Sequence, residues 1–205
     1  MVTQIRQFRH YIRALIPPFA VILLSLGLQT AGLEESLRYD RSAILAGDWW
    51  LLVTGNLVHL GWSHLWLNAA GLVLIYLLYG PLLRTTSWLL YGLLTCLGVG
   101  LGLLWLNPEL RWYVGLSGSL HGLFIVGLLK DARNDLKFAA IVFAVFAAKV
   151  LWEQFNGPMP GSEASAGGKV VVDAHLYGAI SGLISYGVMS GVRWVRDRFG
   201  KKHDK

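Results

Sequence analysis

Charge in this 205-residue chain is gathered into short patches, and between the patches lie apolar runs close to the roughly 20 residues that a helix needs to cross a bilayer core. That pattern constrains the fold more than any motif does. Only 15% of the residues are charged and the mean hydropathy is +0.51, whereas a soluble domain carries about a quarter charged residues. Most of the nine tryptophans fall near the ends of the apolar runs, as expected of residues that favour the membrane interface. The single Cys96 lies within an apolar run and reads as packing, which excludes a disulfide framework or a thiolate ligand set.

The expectation is one all-α membrane domain over 1–205 with six spans, at about 11–28, 58–79, 87–106, 117–129, 138–152 and 174–194, followed by a basic tail at 195–205. The fourth and fifth spans are short. They can still cross when flanking residues snorkel or the bilayer thins. The first span has a basic start, but Gln29-Thr30-Ala31 is a poor cleavage site, so it reads as a retained helix.

Lysine and arginine set the orientation. With the N-terminus inside, the inner segments hold Arg6, Arg9, Arg13, Arg84, Lys130, Arg133, Lys137 and the tail from Arg193 to Lys205. The outer segments hold only Arg38, Arg41, Arg111 and Lys169, and they collect acids such as Glu34, Asp40, Glu109, Glu153 and Asp173. Both termini are therefore expected in the cytoplasm. The basic tail is an orientation signal, and no nucleic-acid partner is expected.

This topology has a consequence for chemistry. The second, fourth and sixth spans all enter from the outer face, which puts His64, Asn68, Ser117 and His175 at similar depth. Polar residues inside a membrane mark functional sites by default. A serine hydroxyl becomes a nucleophile when a positioned base takes its proton, and histidine titrates in the right range to be that base. The oxyanion formed on attack needs donors. The Ser117 amide at a helix start, the Asn68 side chain, and His64 four residues before it on the same helical face are the candidates. Gly115 and Gly118 allow a tight turn and the approach of a substrate chain.

Taken together, Gly115-x-Ser117-Gly118, the run Ala174-His175-x-x-Gly178-x-x-x-Gly182, and the array of His59, His64 and Asn68 make the chain resemble a rhomboid intramembrane serine protease along its whole length. The resemblance implies a six-helix bundle with Ser117 as nucleophile and His175 as base. It also implies an oxyanion site of His64, Asn68 and the Ser117 amide, with water reaching the dyad from the outer face. Gly115 to Gly122 is similar to the rhombosortase branch. That likeness implies transmembrane clients in a bacterial inner membrane that carry a C-terminal Gly-Gly-type sorting signal: a glycine-rich turn, an apolar helix and a basic end. Neither a cofactor nor a metal is implied.

Two positions depart from the family. Where many rhomboids carry a tyrosine four residues after the serine, this chain has His121, which could stack on His175, donate to the oxyanion or compete as the base. The family's Trp-Arg pair in the first outer loop is Trp50-Leu51. Asp173, close to His175, reads as solvated, Lys149 as a snorkelling lysine, and His59 as a helix–helix hydrogen-bond partner. Gly118-x-x-x-Gly122, Gly178-x-x-x-Gly182 and Gly187-x-x-x-Gly191 read as close helix contacts. The stretch 157–168 reads as a flexible outer loop that, with the fifth span, could gate entry. Other functions remain open: a rhomboid protease with other single-span substrates, a non-catalytic client-binding relative, or a membrane metal binder using His59, His64, His121 and His175. The last lacks an intramembrane carboxylate on this reading.

Overall fold

The computed structural model describes residues 2–199, with side chains from residue 15 onward except at 197 and 199. The end of the expected basic tail, 200–205, and the side chains of Arg6, Arg9 and Arg13 lie outside the described residues. In chain order the elements are α1 (Val2–Thr30), α2 (Glu34–Leu37), β1 (Tyr39–Asp40), α3 (Arg41–Ala46), α4 (Leu51–Thr54), α5 (Trp62–Tyr79), a 3-10 turn (Gly80–Leu82), α6 (Thr85–Leu106), β2 (Trp112–Tyr113), α7 (Ser117–Asp131), α8 (Leu136–Asn156), α9 (Ser162–Ala166) and α10 (Val172–Phe199).

Each of the six expected spans coincides with a long helix, and the ends differ by a few residues. Two of these helices, Trp62–Leu82 and Thr85–Leu106, meet both the length and the hydropathy needed to cross a membrane. At 15 residues α7 is only about 22 Å long, short of a ~30 Å hydrocarbon core. Helix α8 is long enough at 21 residues but carries Lys137, Lys149 and Glu153. Its start is fixed by Asp135, whose carboxylate accepts from the Phe138 amide at 3.0 Å.

Helix α7 is the centre of the molecule. Nine of its residues are buried, from Gly118 to Leu128, and they lie on every side of the helix. A helix that is apolar all round belongs inside a bundle. One apolar cluster packs Leu72, Ile75 and Tyr79 of α5 and Trp88, Tyr91 and Cys96 of α6 against Leu120, Leu123 and Val126 of α7. A second gathers Tyr39, Ile44, Leu52, Leu103, Tyr113 and Ala174 toward the end that carries Ser117. Of the nine tryptophans, Trp88 breaks the expected interfacial pattern: it is buried, and its indole N–H donates to the Gly80 carbonyl at 3.4 Å.

Glycines set the distance between α7 and α10. A Cβ on Gly118 would lie 2.7 Å from the Ala174 carbonyl oxygen, and one on Gly122 would lie 2.5 Å from that of Gly178. A Cβ on Gly178 would be closer still to the Gly118 oxygen, and one on Gly182 would meet that of Gly122. The two backbones thus touch along two turns, as small-xxx-small packing permits. The third expected pair is corrected: among the described residues a Cβ at Gly187 or Gly191 would meet nothing within 4 Å, so neither mediates a close approach there.

Helix α8 is the opposite of α7. Only Ala139, Val150 and Glu153 are buried along it, while Phe138, Ile141, Val145, Leu151 and Phe155 are exposed. Apolar exposure of that extent calls for lipid or a partner. The stretch expected to be a loop at 157–168 contains α9, whose Ala166 is buried.

Candidate active site

Ser117 is the first residue of α7, so its amide has no acceptor within the helix. The turn before it depends on Gly115, whose φ of +117° falls in the region that favours glycine. Its N–H donates to the Gly55 carbonyl at 2.9 Å, and a Cβ there would strike the His64 ring at 2.5 Å. The Tyr113 hydroxyl donates to the Gly115 carbonyl at 2.6 Å. Burial raises the pKa of that phenol, so it remains a donor.

Across the glycine contact, His175 Nε2 lies 3.0 Å from Ser117 Oγ. His121, one turn along α7, stacks on His175 with ring centroids 4.1 Å apart and planes 11° from parallel. Its Nδ1 is 2.7 Å from the Ser117 carbonyl oxygen. Ser117 and His64 both line a cavity of about 240 Å³ walled by Tyr113, Val114, Ala166 and Val170. The Leu60 N–H donates to His64 Nδ1 at 3.4 Å, which leaves Nε2 as the protonated nitrogen of a neutral ring, beside Gly115.

Asn68 is placed differently. Its amide donates to the His64 carbonyl at 2.9 Å, and it lines a separate cavity of about 10 Å³ with His59, Ser25 and Leu116. Gly118 and Gly178 lie at the helix contact and do not line the cavity beside Ser117. His59 is buried, but among the described residues it makes no hydrogen bond to a neighbouring helix; its ring meets that of His64 edge to face at 5.1 Å.

Three further expectations are corrected. Asp173 is not simply solvated: its carboxylate accepts from Asn107 Nδ2 at 2.7 Å, which ties the start of α10 to the end of α6. Lys149 does not snorkel away. Its ammonium lies 2.6 Å from Glu153 Oε2, 2.7 Å from His121 Nε2 and 3.4 Å from His175 Nδ1. Glu153, assigned to an outer segment by sequence, is 2% exposed, and its Oε2 is 2.9 Å from His175 Nδ1. The signal for this pair was the Lys149-x-x-x-Glu153 spacing. A fifth span that ends at Trp152 stops four residues before α8 does at Asn156, and so leaves Glu153 outside it.

Glu153 is the carboxylate that the sequence reading found lacking for a metal site. Ligand atoms of His121, Glu153 and His175 lie within 4.8 Å of one another and could hold an ion, but the Lys149 ammonium sits where a cation would sit. Lys149→Ala should therefore create a zinc site: after dialysis against zinc the variant should retain about one ion per chain and the wild type should not. Equal zinc content in the two would show that the ammonium does not occupy a cation site.

Residues 46–191 match the rhomboid domain family. The chain is also similar to a Bacillus subtilis (strain 168) protein named "Putative rhomboid protease YdcA", at 28% identity over 146 residues, 67% of this chain and 66% of that relative's length. The region matched to the family, 46–191, begins before α4 and runs into α10, and it includes the positions of Ser117 and His175. The chain belongs to the rhomboid family of membrane proteins.

Proposed function

We propose that this chain is an intramembrane serine endopeptidase of six spans, with its termini in the cytoplasm and its active site near the outer face of a bacterial inner membrane. The observation that carries the reading is the 3.0 Å contact between Ser117 Oγ and His175 Nε2, made across two helices in backbone contact. The charge bias between inner and outer segments supports the orientation.

In this mechanism Ser117 Oγ attacks the scissile carbonyl carbon while its proton passes to His175 Nε2. The negative charge moves onto the carbonyl oxygen. The Ser117 amide and His64 Nε2–H are the donors placed to receive it. Asn68 braces His64 by donating to its carbonyl, and a direct role in the hole would require its amide to leave that carbonyl. The imidazolium then protonates the departing amine, leaving an acyl-enzyme. Water, deprotonated by His175, attacks the acyl carbon, releases the carboxyl product and restores the Ser117 hydroxyl.

The proposed clients are exported membrane proteins with a C-terminal Gly-rich sorting signal, as the Gly115–Gly122 likeness to rhombosortases suggests. Glycines in such a signal would let the substrate helix unwind and lie extended in the cavity beside Ser117. Co-expression with a Gly-Gly-tailed membrane protein should give a shortened client, and changing its Gly-Gly to Leu-Leu should lower the yield at least ~10-fold. Equal cleavage of both clients would leave a rhomboid protease of broader specificity. No cleavage of any single-span client would favour a non-catalytic client binder.

A further inference from the structure

We propose that Lys149 and Glu153 form a positioning pair that fixes the tautomers of both His175 and His121, so that α8 completes the active site. The proposal rests on the serine-protease reading above and extends it to a helix that the dyad does not require.

The placement of the pair needs a cause. Glutamate is almost never fully buried unless it is paired, and a buried ion pair commonly gives no more stability than apolar side chains of the same volume. Along α8, where most side chains are exposed, Glu153 is one of three buried residues and the only charged one. Lys149 and Glu153 stand at i and i+4, on one face, and that face is turned toward His121 and His175.

Donor and acceptor chemistry then gives a single consistent arrangement. An ionised carboxylate only accepts, so His175 Nδ1 must carry a hydrogen toward Glu153 Oε2 at 2.9 Å. The lone pair of His175 is thereby placed on Nε2, facing the Ser117 hydroxyl at 3.0 Å. An ammonium only donates, so His121 Nε2 must accept from Lys149 at 2.7 Å. His121 Nδ1–H then donates to the Ser117 carbonyl at 2.7 Å, which leaves His121 unable to act as the base through that nitrogen. The 3.4 Å approach of Lys149 Nζ to His175 Nδ1 sets two donors side by side and is not a bond.

The two charges work by orientation more than by field. Glu153 favours an imidazolium at 2.9 Å while Lys149 opposes it at 3.4 Å, so their Coulomb terms largely offset. What remains is the choice of tautomer. A triad histidine held in the wrong tautomer loses up to ~10⁴-fold in turnover.

Glu153→Leu separates this role from a merely structural one. Lys149 Nζ and His175 Nδ1 both meet the same oxygen, Glu153 Oε2. Leucine keeps the bulk but removes that acceptor, so the Lys149 ammonium, 3.4 Å away and only a donor, is left facing His175 Nδ1 and draws the lone pair to that nitrogen. Nε2–H then points at Ser117. Turnover should fall by ~10²-fold or more with KM unchanged. Glu153→Gln is the conservative rescue: its amide oxygen can take the place of Oε2 and accept from both donors, so it should recover at least ~10-fold over Glu153→Leu. A glutamine variant no faster than the leucine one, in protein that stays folded in detergent, would overturn the proposal.

A second measurement does not depend on turnover. In Ser117→Ala protein, proton NMR should show a downfield His175 Nδ1–H resonance that disappears on adding Glu153→Leu. Its absence from the Ser117→Ala spectrum would defeat the positioning pair even if the protease is active. Conversely, a clear resonance in a chain that cleaves nothing would leave the pair intact and defeat the protease reading.

Discussion

Ser117→Ala and His175→Ala should each abolish labelling by a fluorophosphonate probe and reduce client cleavage to background, a loss of ~10⁴–10⁶-fold. The two losses should be nearly equal, and the double variant should be no worse than either one. That equality follows from the geometry: Oγ and Nε2 form a single unit across 3.0 Å, and each is inert toward a peptide bond without the other. His121→Phe is the control, because it keeps a ring against His175 but removes both ring nitrogens. It should retain a measurable part of the activity if His175 is the base. Labelling that survives His175→Ala but is lost in His121→Phe would transfer the role of base to His121.

The second large effect is expected far from any proton transfer. Gly178→Val should destabilise the protein by about 3 kcal/mol or more and should abolish activity in whatever fraction remains folded. Most over-packed sites relax by turning a side chain aside. Here the obstacle is the Gly118 backbone, which belongs to the turn that carries Ser117, so the only relief is separation of α7 from α10. An opening of even 1 Å would break the contact between Ser117 and His175, and misplacement on that scale can cost ~10²-fold in rate. Gly187→Ala, on the same helix, meets nothing within 4 Å and exchanges a poor helix former for the best one. It should be neutral or stabilising by up to ~1 kcal/mol. Thermal unfolding in detergent, run beside probe labelling, reads both effects. Equal stability of the two variants would mean that the α7–α10 glycines are not a tight contact.

The two glycine patterns on α10 show how far sequence spacing reaches. Gly178-x-x-x-Gly182 and Gly187-x-x-x-Gly191 are the same motif on one helix, yet the first touches the α7 backbone and the second meets nothing within 4 Å among the described residues. Spacing places both glycines of a pair on one face of the helix. It says nothing about whether another helix passes that face. The apolar segments themselves were legible, because helix length and hydropathy are local properties. Their ends were less so: a fifth span ended at Trp152 stops four residues before α8 does, which moves Glu153 from the site to an outer loop.

His121 illustrates the same limit from the other side. Its i+4 spacing from Ser117 puts it one turn along α7 whatever the fold, so contact with the Ser117 carbonyl was available from the sequence. Its stack on His175 was one of the roles open to it on the sequence, whereas its bond from Lys149 requires α8 to be turned toward α7, which no spacing encodes.

The sequence by itself therefore determined where the helices run and which polar residues share a level, because hydropathy and the 3.6-residue repeat act within a segment. It also singled out Ser117 between its glycines. Only the tertiary structure decided which of the glycine pairs make the α7–α10 contact, and that α8 turns Lys149 and Glu153 toward both histidines. The rotation of one helix about its axis depends on what the neighbouring helices leave room for, and that is a property of the whole bundle.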